Sequence, residues 1–210
     1  MPKREPASAG LTCSRERTVA KMNGRAPVYL ALLHHPVHDK HGKVVTTSLT
    51  TLDLGDIARS CRTFGVDAFF VVSPVDAMRR LARKVIAHWC AGAGRDYNSH
   101  RGDALSLVRL ARDLEGVEIE IEADTGKLPE LVVTSARGLA DPISFEALGN
   151  ELQHSSDPHL IMMGTGWGLT EEVIARAGKR LEPIAGADDY NHLSVRAATA
   201  IVLDRLLGTR

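Results

Sequence analysis

Ala68-Phe69-Phe70-Val71-Val72 is an unbroken apolar run of strand length, and it constrains the fold more than any other stretch of the chain. A strand without polar alternation needs cover on both faces, which parallel sheets flanked by helices provide. Val28 to Leu33, Leu131 to Val133 and Leu160 to Met163 are further short apolar runs, and Arg180 to Ile184 reads as a last short strand. Helical patterns fall between them. Leu52 to Phe64 spaces Leu54, Ile57, Ala58 and Cys61 at i, i+3, i+4 and i+7, one face of a helix. Ser73-Pro74 opens a helix through Met78, Leu81, Val85 and Trp89, followed by a loop from Ala91 to Gly102. Ala104 to Leu114 reads as helix again. Val117, Ile119 and Ile121 alternate with glutamates and read as a strand, with a helix as the alternative. Ile143 to Leu152 is a short helix capped by Ser144 or Asp141, and Thr170 to Ala177 another with Thr170 as its cap. Leu193 to Leu207 is a strongly apolar helix. The alternation predicts an α/β fold, a mostly parallel sheet flanked by helices.

Residues 1–26 lack a periodic apolar pattern and read as a flexible tail, so one domain is expected over 27–210. The tail has no apolar core of the kind a secretory signal carries, and no run approaches the ~18 residues of a spanning helix. Cys13, Cys61 and Cys90 are odd in number and form no metal-type pair, which points to a reducing cytoplasm. The net charge of zero conceals a division: residues 1–114 hold 18 Lys and Arg against 10 Asp and Glu, and residues 115–210 hold 8 against 16. Such a chain can offer a basic face to a polyanion, although charges that merely solvate helix surfaces give the same counts.

Ligands of parallel sheets bind beyond the carboxyl ends of strands, and three such ends stand out here: Thr134 to Arg137, Gly164 to Gly168, and Pro183 to Asn191. In Gly164-Thr165-Gly166-Trp167-Gly168 the glycines let a backbone approach a ligand closely. The spacing is not that of a dinucleotide fingerprint, and there is no Walker lysine. Glu182 to His192 packs polar groups of many types between an apolar strand and an apolar helix. Asn191 there reads equally as the cap of the next helix, and Asp188 or Asp189 as turn residues. His34, His35, His38 and His41 lack the spacing and second shell of a zinc site, so no metal is expected. No Gly-x-Ser-x-Gly elbow is present.

Together these segments resemble the SPOUT class of S-adenosylmethionine-dependent RNA methyltransferases. Met163-Gly164-Thr165-Gly166-Trp167-Gly168-Leu169-Thr170-Glu171-Glu172 resembles the second motif of the class. Leu181-Glu182-Pro183-Ile184, followed by Tyr190-Asn191-His192-Leu193-Ser194-Val195-Arg196, resembles the third, and Thr134-Ser135-Ala136-Arg137 looks like the first. Tyr29 to Val37 and Leu52 to Thr63 are similar to one bacterial branch of that class. The resemblance implies a C-terminal deep trefoil knot, a rarity among proteins. It implies a homodimer with the pocket near the subunit interface, and a cofactor, S-adenosylmethionine, in the loops after Thr134, Met163 and Leu181.

Cofactor contacts are accordingly expected from Thr134, Ser135, Gly164, Thr165, Gly166, Pro183, Ile184, Leu193 and Ser194. Asp188 or Asp189 is the expected base, with Tyr190 and Asn191 positioning the target, and Arg137, Arg59 and Arg62 meeting RNA phosphates. One departure is plain: where the ribose 2′-O branch reads Ser-Leu-Asn-Val-Ser, this chain has Tyr190 or Asn191 and then His192-Leu193-Ser194, so that branch's target atom and base do not carry over. Two other readings stay open. One is a SPOUT-like RNA- or nucleotide-binding module without catalysis, which binds cofactor no tighter than the millimolar range. The other is a small-molecule α/β enzyme, whose binding is insensitive to salt.

Overall fold

The computed structural model describes residues 24–209, except 92 and 189. In chain order, β1 (Val28–Leu33) leads into a small hairpin of β2 (Val37–His38) and β3 (Val44–Val45), then α1 (Thr51–Thr63) and β4 (Ala68–Val72). α2 (Asp76–Ala91), α3 (Ala93–Tyr97) and α4 (Ser99–Leu105) precede β5 (Val108–Ala111), α5 (Leu114–Thr125) and β6 (Glu130–Val133). α6 (Phe145–His154), β7 (His159–Gly164), α7 (Glu171–Arg176), β8 (Lys179–Arg180) and α8 (Val195–Leu207) complete the fold.

Six strands form one sheet in the order β5-β4-β1-β7-β6-β8, and every pairing in it is parallel. Alternate residues of each strand serve two cores. Leu30, Leu32, Phe69, Val71, Ile161 and Met163 face one cluster with α1, α6 and α8. Tyr29, Ala31, Leu33, Phe70, Leu160 and Met162 face the other, with α5 and α7. Both faces are therefore covered, which is why the strands lack polar alternation. The strand order reverses between β1 and β7, and the carboxyl ends beside that switch carry the loops singled out by sequence.

The α/β class is as expected; several elements are not. Ala104 to Leu114 is not one helix: α4 ends at Leu105, and Val108–Ala111 is the edge strand β5, in register with β4 from Phe69↔Val108. Its apolar residues satisfy a helical spacing by coincidence, and a free sheet edge takes precedence over local periodicity. The expected loop from Ala91 to Gly102 holds α3 and the start of α4. Val117 and Ile121 lie one helical turn apart in α5 and are buried, while Ile119 points to solvent, so the alternation with glutamates was misleading. The signals that decide for helix stand at its ends: Asp113 accepts from the Gly116 N–H, and Gly126 closes the helix in the left-handed conformation. The strand expected over Arg180 to Ile184 is only Lys179–Arg180, continued by a bridge between Leu181 and Ile143.

The tail expected over 1–26 lies mostly outside the described residues. Of its described end, Ala26 is buried and donates its N–H to the Leu152 carbonyl at 2.8 Å. Cys13 also lies outside the described residues, whereas Cys61 and Cys90 are buried in the core, where the Cys90 thiol donates to Gly102 O at 3.4 Å. Among the described residues no helix is long and apolar enough to cross a membrane.

Candidate functional site

The loop after β6 begins with Thr134, whose hydroxyl donates to the Met162 carbonyl of β7 at 2.9 Å. Ser135 accepts from the Arg137 N–H at 3.1 Å in a tight turn, and Arg137 reaches the Trp167 carbonyl with Nη2 at 3.2 Å. The first of the three loops is thus stitched to the second.

The second loop follows β7. A Cβ on Gly164 would stand 2.9 Å from the Leu169 side chain. Gly166 has φ 61° and leaves 2.9 Å between such a Cβ and the His38 carbonyl, so no other residue fits without strain. Trp167 donates its N–H to that same carbonyl at 2.9 Å, and His38 donates to Gly168 O at 2.9 Å. The Thr165 hydroxyl bonds to Leu33 O at 3.0 Å and to Thr47 Oγ1 at 2.5 Å. Thr47 in turn meets Nδ1 of His34 at 3.0 Å. His34 is 1% exposed, its Nε2 has no hydrogen-bond partner, and burial holds its pKa well below the ordinary value, at about 4. The imidazole is a neutral part of the floor beneath the second loop.

The third loop runs from Leu181 to Ser194. Asn191 donates through Nδ2 to two carbonyls, Ala136 O at 2.9 Å and Ile184 O at 3.0 Å. It does not cap the following helix: Ser194 does, accepting from the Ala197 N–H. Ser144, and not Asp141, likewise caps α6, with Glu182 of the third loop accepting the Phe145 N–H at 2.7 Å. Thr170 stands at the cap position of α7 but its hydroxyl makes no capping bond. Asp188 accepts from the Tyr190 N–H at 2.9 Å, and the Tyr190 ring, 73% exposed, lies 5.2 Å from His192. Asp189 lies outside the described residues.

Thr134, Arg137, Thr165, Ile184 and Asn191 are therefore tied by hydrogen bonds between segments at one edge of the sheet, with Ser135 in the same turn as Arg137, Gly164 and Gly166 in the loop of Thr165, and Pro183 next to Ile184. Ser194 lines a groove of about 510 Å³ between α1 and α8 with Arg59 and Arg196. Arg59 also borders a second groove of about 470 Å³ with Arg62, His100 and Arg101. Arg196 is held by Asp53, at 2.8 Å, which ties the start of α8 to α1. The sequence reading missed Thr47 and the β2–β3 hairpin that supports the second loop; of the two histidines at the end of β1, one of which was expected to face the core, it is His34 that does so. The turn residues Asp39 to Gly42 between Val37-His38 and Val44-Val45 were a legible hairpin signal. The pairing of Thr47 with Thr165, 118 positions away, had no local signal.

The arrangement fits an adenosine-containing cofactor. Among the described residues the N–H groups of Ile184 and Leu193 donate to no partner, and unengaged amides of this kind suit the edge of a purine. The side chain of Ile184 packs partly buried against one core and that of Leu139 against the other. Among the described residues no group of three or more His, Cys, Asp or Glu side chains is placed to hold a metal ion. The histidines of the first loop have other partners, with His35 and His38 bonded to Val45 O and Gly42 O.

Comparison with known proteins identifies the family. A family model described as SAM-dependent RNA methyltransferase matches residues 27–208. A protein of Aquifex aeolicus (strain VF5), called only "Uncharacterized protein", is 44% identical over 179 residues, which are 85% of this chain and 87% of that one. A tRNA (guanine-N(1)-)-methyltransferase of Oleidesulfovibrio alaskensis is 42% identical over 181 residues. That match covers 86% of this chain but 42% of the relative, so the chain spans under half the length of a protein whose name describes the whole. Among solved structures, the SpoU methyltransferase AviRb of Streptomyces viridochromogenes is similar at a TM-score of 0.54 and 15% identity, covering 87% of this chain and 59% of that one. At that identity the likeness concerns the fold alone. The chain belongs to the SAM-dependent RNA methyltransferase family, with a SpoU-like fold and S-adenosylmethionine as its cofactor.

Proposed function

We propose that the three loops after β6, β7 and β8 form the pocket from which this chain methylates a nucleotide of RNA. The observation that carries the reading is Asn191, whose single amide binds the carbonyls of the first and third loops and so sets the width of the pocket. Bound S-adenosylmethionine supplies an activated methyl group on a sulfonium. The chain has to hold that group and align a nucleophile with it, a task of positioning.

Main-chain groups of Gly164, Thr165, Gly166, Ile184 and Leu193 hold the adenosine part, with Thr134, Ser135 and Pro183 shaping the wall and Ser194 at its rim. The Thr134 hydroxyl is engaged with Met162 O, so Thr134 contributes through its backbone. Asp188 or Asp189 takes a proton from the target where the reacting atom carries one. Tyr190 is exposed and free to meet a nucleotide, while Asn191 acts on the target indirectly, by fixing the loop. Arg137, Arg59 and Arg62 are exposed and contact phosphates.

We read the contacts of the third loop with residues 136–143, the Ile143–Leu181 bridge and the Asn191–Ala136 bond, as those of a deep trefoil knot. We read the α1–α8 groove as facing a second copy of the chain in a homodimer, and the odd number of cysteines without a metal-type pair as that of a cytoplasmic protein.

Thermal unfolding with and without S-adenosylhomocysteine tests the pocket. Ligand at ~100 times its dissociation constant should stabilise the fold by about 2.7 kcal/mol, several degrees in Tm. Gly166→Val should abolish the shift. An unshifted wild-type midpoint at millimolar ligand, with or without bulk RNA, sinks the proposal in favour of a binding module.

A further inference from the structure

The two tryptophans of the chain are treated very differently. Trp89 on α2 is half-buried, with the Arg101 guanidinium 4.4 Å above its ring and His88 against its edge at 5.1 Å. Trp167 is 57% exposed, and among the described residues no ring or guanidinium stacks on it. Its backbone is nevertheless among the most constrained on the surface. The N–H is bound to His38 O and the carbonyl to Arg137 Nη2, and the flanking Gly166 and Gly168 both have positive φ, 61° and 103°. A loop clamped from both sides thus presents a bare indole to solvent.

Two of the segments bonded to the Trp167 backbone carry cations, while Glu171 and Glu172 stand exposed at the start of α7. The β2–β3 hairpin, which holds the Trp167 amide, has Lys40, His41 and Lys43 at its exposed tip. The one carboxylate there, Asp39, is occupied by the N–H groups of His41 and Lys43 and serves the turn. On the other side stands the exposed Arg137. A fixed aromatic face between cations suits a single-stranded nucleic acid, whose bases stack while its phosphates meet the charges. A preorganised ring also loses little conformational freedom on binding.

We infer that Trp167 is a stacking platform for an unpaired base of the RNA substrate, with Arg137 and the β2–β3 tip holding the adjoining phosphates. The inference rests on the RNA methyl transfer proposed above and adds the surface on which the strand lies. It requires an unpaired segment at the point of contact, because a base inside a duplex offers no open face.

The test uses the full chain and a 12-nucleotide single-stranded RNA of mixed sequence, with intrinsic fluorescence as the readout. In a Trp89→Phe variant only Trp167 emits, and the RNA should quench it. Trp167→Ala should weaken RNA binding about tenfold or more, as loss of one stacked base does, while Trp167→Phe keeps most of it. The Lys40→Ala/Lys43→Ala pair should instead flatten the salt dependence of binding. The thermal shift with S-adenosylhomocysteine should persist in every one of these variants. Full-strength RNA binding by Trp167→Ala overturns the platform, as does unquenched Trp167 emission in the complex. A wild-type chain that responds to S-adenosylhomocysteine but binds no RNA overturns the platform and leaves the cofactor pocket standing. Failure of both responses overturns the two together. Dissociation of a dimer by Trp167→Ala would make the indole a subunit contact and also overturns it.

Discussion

At the carboxyl edge of the sheet, the strands on the two sides of the switch part company. β4 ends at Val72 and α2 begins at Asp76; β5 ends at Ala111 and α5 begins at Leu114. These connections hand the chain at once to a helix, and their polar groups are used locally, as when Ser73 accepts from Val75 or Asp113 from Gly116. Across the switch, β6 ends at Val133 but α6 starts at Phe145, and β8 ends at Arg180 but α8 starts at Val195. Segments of that length cannot satisfy their backbone groups by helix capping alone, and they turn to one another: Ala136 and Ile184 to Asn191, Trp167 to Arg137 and His38. One side of the sheet is held by packing, and the other ties distant loops together with hydrogen bonds.

That contrast predicts opposite responses to mutation. The largest effect is expected from Phe69→Ala, because Phe69 is fully buried in β4. It should lower stability in urea unfolding by about 3–5 kcal/mol and leave the affinity of the folded fraction for S-adenosylhomocysteine unchanged. An equal loss of affinity would show that the two sides are not separate.

Next comes His34, which lies between the sides. Its pKa is about 4 folded, against roughly 6.5 in an unfolded chain. The unfolded state therefore binds the proton first, and stability is at its full value above about pH 6.5. It falls as pH drops toward 4, by about 2–3 kcal/mol. His34→Gln, which cannot take up the charge, should flatten that part of the pH profile; an unaltered profile would place the titration elsewhere.

Asn191→Ala inverts the first result. Removing two hydrogen bonds should cost about 1–2 kcal/mol of stability yet weaken S-adenosylhomocysteine binding at least tenfold, read by calorimetry. The smallest effect belongs to Arg62→Ala, an exposed cation of the second groove. RNA affinity should drop a few-fold with a shallower salt dependence, and cofactor binding should not change. Loss of cofactor binding in that variant would contradict the division.

The same division explains what could be read in advance. β1, β4, β6 and β7 were legible because a strand covered on both faces must be apolar throughout, and α1 because its buried positions repeat at helical spacing. β5 was not, since Val108, Leu110 and Ala111 suit either an edge strand or a helix, and only the vacant side of β4 decides. At the candidate site, glycines and polar residues marked loops that the structure joins by hydrogen bonds. Their roles were harder to see. Asn191 has the side chain of a cap, and it becomes a tie only because Ala136, 55 positions earlier, comes within reach. Thr47 carried no sign at all of its bond to Thr165.

The central position of β1 has a consequence for the chain while it is being made. β4, ending at Val72, can cover one edge of Val28–Leu33 early in synthesis, but β7, which covers the other, begins only at His159. Until the ribosome has released residues past Gly164, six consecutive apolar residues keep an open row of backbone donors and acceptors. Nascent or truncated chains that stop short of β7 thus carry a ready template for strand addition.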